Sequence, residues 1–143
     1  MELVFEKALP SDINYLLWLR EETMVPHLKQ AGFKVDEENH QKALSYKFEG
    51  ARIIFYGNER VGLIKTSFGE NYIKIIQFQI APEHQGRGLG SKVISKLIVE
   101  APEHIDFFIL SVLKENKARK LYEKCGFVVT GENDHSFEMR LDI

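Results

Sequence analysis

The stretch richest in chemical content runs Ile80-Ala81-Pro82-Glu83-His84-Gln85-Gly86-Arg87-Gly88-Leu89-Gly90-Ser91. A strand-like segment ends where it begins, and Leu89, Val93, Ile94, Leu97 and Ile98 recur at helical spacing beyond it, so the glycines occupy a strand-to-helix turn. The first N–H groups of a helix lack partners within the helix, and the dipole adds about half a positive charge there. Phosphate oxygens suit such a site, and glycines allow them close to the backbone; a pyrophosphate would fit. Spacing argues against two other phosphate loops. A G-x-x-x-x-G-K-[ST] loop fails on both interval and order at Gly90-Ser91-Lys92, and the third glycine of G-x-G-x-x-G comes one residue early in Gly86-Arg87-Gly88-Leu89-Gly90. Taken alone, the cluster reads equally well as ordinary turn and helix-start glycines.

A second stretch, Asn116-Lys117-Ala118-Arg119-Lys120-Leu121-Tyr122-Glu123-Lys124-Cys125-Gly126-Phe127, reads as a short helix. Asn116 suits its N-cap, Ala118, Leu121, Tyr122 and Cys125 share a face, and Gly126 suits the left-handed residue after the last turn. Tyr122 is either a hydroxyl donor in a site or an aromatic packed beside Leu121. Lys117, Arg119, Lys120 and Arg87 are either phosphate partners or a solvated face. Cys125, the only cysteine, reads as a core residue ahead of the helix stop.

The elements that must position these residues follow the order β, α, α, β, β, β, α, β, α, β, β. Glu2 to Lys7 alternates as a strand, and Ser11 is a candidate N-cap for a helix carrying Ile13, Leu16, Leu17 and Arg20, which Pro26 should end or kink. Asp36, followed by Glu37 and Glu38, opens a second helix reaching Phe48. Ala51 to Tyr56, Val61 to Ser67 and Tyr72 to Ala81 form an antiparallel meander, and Ile105 to Val112 is apolar enough for a buried parallel strand. Phe127 to Thr130 and Ser136 to Leu141 close the chain as a hairpin. The expected class is mixed α+β over residues 1–143 as a single domain.

Composition narrows the function. A chain of 143 residues with 44% hydrophobic residues can bury roughly 68–70% of its unfolded surface. With 19 Lys plus Arg against 21 Asp plus Glu, the net charge is −2, so no global basic field exists to hold nucleic acid or an anionic membrane. No apolar run approaches a membrane span, and one cysteine with five scattered histidines shows no metal-ligand spacing. A cytoplasmic protein without a metal is the expectation.

The two motifs together resemble the GNAT superfamily of N-acetyltransferases. Its Q/R-x-x-G-x-G/A motif is matched by Gln85, Gly88 and Gly90 between a strand and a helix, and its N-x-x-A-x-x-L-Y-x-x-x-G-F segment is similar to Asn116 through Phe127, with Ala118 one place early. The element order agrees along nearly the whole chain. The resemblance implies a central mixed, mostly antiparallel sheet flanked by about four helices. It implies acetyl-CoA as cosubstrate, lying between a strand ending at Ile80 and one ending near Val112 that splay apart. Pyrophosphate would sit on Gln85, Gly86, Arg87, Gly88, Leu89, Gly90 and Ser91. Pantetheine would pair with backbone from Phe78 through Ile80 to Ala81, where an N–H polarises the thioester carbonyl; Asn116 would contact the cofactor or cap its helix. Tyr122 matches the family's acid. Proton transfer from a tyrosine of pKa about 10 to a thiolate of about 8.5 is uphill by roughly 2 kcal/mol, so hydrogen bonding to the leaving sulfur is expected first.

The chain departs from the family where many relatives carry Glu or Asp on the strand before the motif: here stand Ile76, Gln77, Phe78 and Gln79. Gln77 and Gln79 share a strand face and can orient an acceptor or water, but an amide is no base. His40, His84, Glu21 and Glu22 are the substitutes, each also readable as a surface residue. The resemblance places the acceptor pocket near Arg20 to Phe33 and Thr130 to His135, with Glu21, Glu22, Asp134 and Glu138 available to a cationic amine and Trp18, Phe33 and Tyr46 as core or wall. The expected activity is direct acetyl transfer to a primary amine of a small molecule, amino acid or peptide, by a monomer or homodimer. The alternatives are a noncatalytic acyl-CoA-binding module and, if both motifs are coincidental, a binding domain without CoA.

Overall fold

Ile53 and Ile54, and likewise Leu63 and Ile64, are sequence neighbours that are all fully buried. Successive strand side chains point to opposite faces, so the sheet that contains them must be covered on both sides. The computed structural model describes residues 2–30, 32 and 36–143, without the side chains of Val25, His27 and Gln30. Its elements are β1 (Leu3–Lys7), α1 (Ile13–Gln30), α2 (Glu37–Ser45), β2 (Ala51–Tyr56), β3 (Glu59–Phe68), β4 (Tyr72–Ile80), α3 (Leu89–Glu100), β5 (Phe107–Leu113), α4 (Ala118–Lys124), β6 (Val128–Glu132) and β7 (Ser136–Asp142). The expected order and mixed α+β class are found.

The strands form one sheet in the order β1-β2-β3-β4-β5-β7-β6. Every pairing is antiparallel except β4 with β5. On one face Leu16 and Leu19 of α1 and Leu44 of α2 pack with Ile53 and Leu63. On the other, Val93, Ile94 and Leu97 of α3 and Tyr122 of α4 pack with Ile54, Ile64, Phe108 and Leu110. Each fully buried aliphatic side chain contributes about 1.5–3 kcal/mol.

Two local expectations are corrected. Of the two outcomes expected at Pro26, an end to α1 is excluded, because the residue lies inside the helix; its ring removes one hydrogen bond, that to the Glu22 carbonyl, while packing on the sheet and α2 sustains the helix. Ser11 does not cap the helix, because Pro10–Asp12 form a one-turn 3-10 helix before it. There the Leu9 N–H donates to the Asp12 carboxylate at 2.8 Å. Asp36 does cap α2, accepting from the Asn39 N–H at 2.9 Å, but that helix ends at Ser45, short of Phe48.

Lys65 explains how α2 ends against the sheet. The residue is 1% exposed, and its ammonium donates to the carbonyls of Ala43, Leu44 and Tyr46 at 3.0, 3.2 and 2.7 Å. A cation on the last carbonyls of a helix satisfies acceptors that have no partner in the helix and opposes the negative end of its dipole.

The sheet opens at one point. Parallel pairing of β4 with β5 runs from Tyr72↔Phe107 to Ile75↔Leu110 and stops, although β4 stays paired with β3 to Ile80 and β5 with β7 to Leu113. In the β3–β4 ladder Lys65 faces Gln77 while Thr66 faces Ile75, which leaves Ile76 as an extra residue. Such a bulge bends its strand, here where β4 leaves β5. Gly62 is required beside this segment: a Cβ on it would lie 2.1 Å from the Gln79 carbonyl oxygen. Among the described residues no helix is long and apolar enough to cross a membrane.

Candidate active site

The gap between β4 and β5 leads to the glycine turn. Gly86 and Gly88 both have φ +77, with open space where a side chain would stand, so their amides are accessible. Gly88 is the N-cap of α3. The Gln85 amide donates to the Ile80 carbonyl at 2.8 Å, a brace between the end of β4 and the turn. Gly90 serves packing: a Cβ there would lie 2.7 Å from Leu121 Cδ2, so its absence lets α4 approach the first turn of α3.

A cleft of about 710 Å³ extends from this turn, lined by Phe78, Ile80, Gln85, Gly86, Gly88, Leu89, Gly90, Ser91, Asn116 and Tyr122 among the expected residues. Its backbone edge follows from the ladder. The Ala81 N–H donates to the Val61 carbonyl at 2.8 Å, so, by the alternation of an antiparallel pair, Gln79 and Gln77 also turn their backbone groups toward β3. The intervening Phe78 and Ile80 present theirs on the opposite edge, beyond the last β5 pairing.

Several expected residues stand outside, Arg119 and Lys120 among them. Ala81 is fully buried with its N–H bonded to Val61, and Arg87 and Glu22 are exposed and line neither this cleft nor its neighbour. Lys117, Lys124, Thr23 and Met24 also line the cleft. Thr23 and Met24 fall in the segment Arg20 to Phe33 expected to build the acceptor pocket, whereas Lys124 was missed, because it reads as a solvated last-turn cation.

A second cleft of about 500 Å³ lies between α1, α2 and the splayed strands. Tyr122, Phe78, Gln79 and Asn116 line both clefts, so Tyr122 stands at their junction. α4 positions it. Asn116 Oδ1 accepts the Ala118 N–H at 2.9 Å at the start of the helix, and Gly126, at φ +105, ends it. The Tyr122 ring lies 6.5 Å from that of Phe78. Burial, then nearby Cys125, pushes the Tyr122 hydroxyl well above the ordinary tyrosine pKa. It is therefore a neutral donor across physiological pH.

The second cleft is rich in nitrogen and lacks acid. Arg20, Lys42, Gln77 and Gln79 line it, and among the described residues no carboxylate lines either cleft. Glu21 and Asp134 are exposed outside both, and Glu138 accepts a hydrogen bond from Ser111, which does line the second. His40 Nδ1 accepts from Arg20 Nε at 3.0 Å, so that lone pair is occupied. His84 lines the first cleft with its Nε2 3.3 Å from Glu59. Tyr46 lines the second cleft, Trp18 is exposed, and Phe33 lies outside the described residues. Among the described residues no three His, Cys, Asp or Glu side chains group as metal ligands.

The sequence matches the Acetyltransferase (GNAT) family over residues 13–127. No curated protein matches it. An acetyltransferase from Thermus thermophilus superposes with a TM-score of 0.81 at 18% identity, over 100% of this chain and 98% of that one. The PaiA N-acetyltransferase from Thermoplasma acidophilum, in complex with coenzyme A, superposes at 0.77 with 16% identity over the whole of both chains. The spermidine N-acetyltransferase from Vibrio cholerae, in complex with CoA and spermine, gives 0.71 at 21% identity over 98% of this chain and 95% of that one. At these identities the likeness establishes the fold.

Proposed function

This chain belongs to the Acetyltransferase (GNAT) family, and we propose that it is an acetyl-CoA-dependent N-acetyltransferase that passes the acetyl group directly to a primary amine. The observation that carries this reading is the junction at Tyr122, where a tyrosine on α4 lines both a glycine-lined cleft and a separate cleft of acceptor size.

The residues fit CoA. Open left-handed glycines and unpartnered amides at the start of α3 suit a pyrophosphate, and Lys117 and Lys124 add positive charge to the same cleft. The outward backbone groups of Phe78 and the outward N–H of Ile80, whose carbonyl is held by Gln85, suit the amides of pantetheine. When bound, acetyl-CoA supplies an acyl group activated as a thioester. The outward N–H groups on β4 then stand where negative charge develops on the acyl oxygen. Tyr122 donates to the departing sulfur; with its pKa raised, it holds a hydrogen bond more readily than it surrenders the proton. No lining carboxylate is available to take the amine's proton, and the cationic surroundings of Arg20 and Lys42 disfavour an ammonium, so the amine reacts as the neutral form. Its proton leaves to solvent.

The absence of a lining acid also supports a second reading, a noncatalytic acyl-CoA-binding module. Thiol release from acetyl-CoA across amino acids, polyamines and peptides, with binding followed by calorimetry, separates the two. Acceptor-dependent release supports the transferase. Tight CoA binding without release by any amine supports the module, and no CoA binding removes both.

A further inference from the structure

The second cleft contains two polar features whose hydrogen-bonding capacity the reading above leaves unused. The first is Arg20. Its Nε is committed to His40 Nδ1, which fixes the guanidinium and leaves the two Nη groups. Burial lowers its pKa, and among the described residues no carboxylate pairs with it. Lys42 of α2, the other cation lining the cleft, is already paired with Glu38 at 3.2 Å. Lys65, whose own pKa Arg20 helps to lower, adds a second cation nearby whose donors are taken by α2 carbonyls. A half-buried guanidinium with a free fork and no acid calls for an external anion, and a carboxylate matches that fork in a bidentate manner.

The second feature is opposite in kind. Gln77 Oε1 and Gln79 Oε1 are buried without a hydrogen-bond partner, and Gln79 is only 5% exposed. Leaving a buried acceptor unpaired costs about 1–3 kcal/mol, and a bound N–H would restore the loss. Both glutamines line the same cleft as Arg20, with Tyr122 on its wall. One cavity therefore holds donors for an anion and acceptors for an amine.

Resting on the transferase reading, we propose that the acceptor is a small amine that also carries a carboxylate, an amino-acid-type zwitterion rather than a polyamine. The carboxylate lies on the Nη groups of Arg20, and the amine is oriented by Gln77 and Gln79 beside Tyr122. The cleft volume of about 500 Å³ suits a ligand of that size. His40 acts as a positioning residue, holding the guanidinium in place through Nδ1.

The test uses matched pairs: amino acids against their carboxamides, and ω-amino acids against diamines of equal length. Each is titrated into the CoA-loaded protein by calorimetry, with thiol release from acetyl-CoA run alongside. The carboxylate member should bind and react about 10–100-fold better, the order expected of a charge-assisted hydrogen bond. Arg20→Gln should reduce that ratio to about threefold or less and Arg20→Lys to an intermediate value, with CoA affinity unchanged in both as the check on folding. Equal or better use of amides and diamines would overturn the proposal. So would an Arg20→Gln variant that lowers acids and amides by the same factor, or failure of every carboxylate to bind. Selective binding of carboxylates through Arg20 without release by any amine would remove the transferase reading and keep the anion site; release without Arg20-dependent selectivity would do the reverse.

Discussion

Tyr122 and Phe127 are joined twice. The Phe127 N–H donates to the Tyr122 carbonyl at 2.9 Å, and their rings lie 5.7 Å apart at an interplanar angle of 60°. With the Gly126 N–H on the Glu123 carbonyl at 3.0 Å, this is the Schellman arrangement with its accompanying hydrophobic contact. The device that ends α4 therefore also orients the ring of the residue that lines both clefts.

Gly126→Ala should cost about 1–2 kcal/mol, because the residue stands at φ +105 and a Cβ would meet Leu141 Cδ1 at 3.1 Å. Thermal unfolding should show a fall in Tm of about 2–8 °C for a domain of this size. An unchanged Tm would mean that the helix stop does not depend on the left-handed glycine.

Tyr122→Phe separates hydrogen bonding from packing. The ring stays in the core while the hydroxyl is lost, so kcat should fall by about 10–100-fold with the Kd for CoA changed less than about threefold. Thiol-release kinetics and calorimetry read the two quantities. Unaltered kcat would remove Tyr122 from the chemistry.

The approach of α4 to α3 at Gly90 can be tested by a pair of substitutions. Gly90→Val should weaken CoA binding about tenfold or more, since its side chain displaces Leu121 and with it the start of α4. Leu121→Ala should restore part of that loss, with a coupling energy of about 1 kcal/mol or more. Additive effects would show that Gly90 acts through the phosphate loop alone.

Lys65 makes stability depend on pH in a stated direction. Burial, with repulsion from Arg20, lowers its pKa from 10.5 to about 8, against the opposing pull of Glu49. Below pH 8 both folded and unfolded chains hold the proton. Between about 8 and 10.5 the unfolded chain binds more, so stability contributed by this residue rises with pH. Urea unfolding at pH 7.5 and 9.5 should show a gain of about 1–2 kcal/mol in the native protein relative to Lys65→Met, which should be less stable at both pH values because three carbonyls lose their donor. A parallel pH dependence in the two proteins would contradict this.

Much of the candidate site was legible in the chain itself. Gln85 to Ser91 and Asn116 to Phe127 each combine a cap, a left-handed glycine and a helical apolar stripe within a few residues, and such features are decided by local sterics and hydrogen bonding. The same holds for β2, whose bounds Ala51–Tyr56 coincide with the expectation, and for Asp36 as the cap of α2. Pro26 does not stop α1, because its local cost is one hydrogen bond, which packing of the helix outweighs. Gly90 belonged visibly to the turn, but its contact with Leu121 is between residues far apart in sequence.

The sequence by itself determined the element order, the buried strand β5 and the glycine turn at the start of α3, because alternation, helical period and left-handed backbone are short-range properties. Only the tertiary structure decided where β4 and β5 part, since the bulge at Ile76 exists in a register with β3 and not in β4 alone. It also decided the second cleft. Arg20 lies on an apolar helical stripe and reads there as an exception; its role depends on His40 taking its Nε and on the lack of an opposing acid, both set by α1, α2 and β4 meeting in space. Charge complementarity is a long-range property, and no spacing along the chain encodes it.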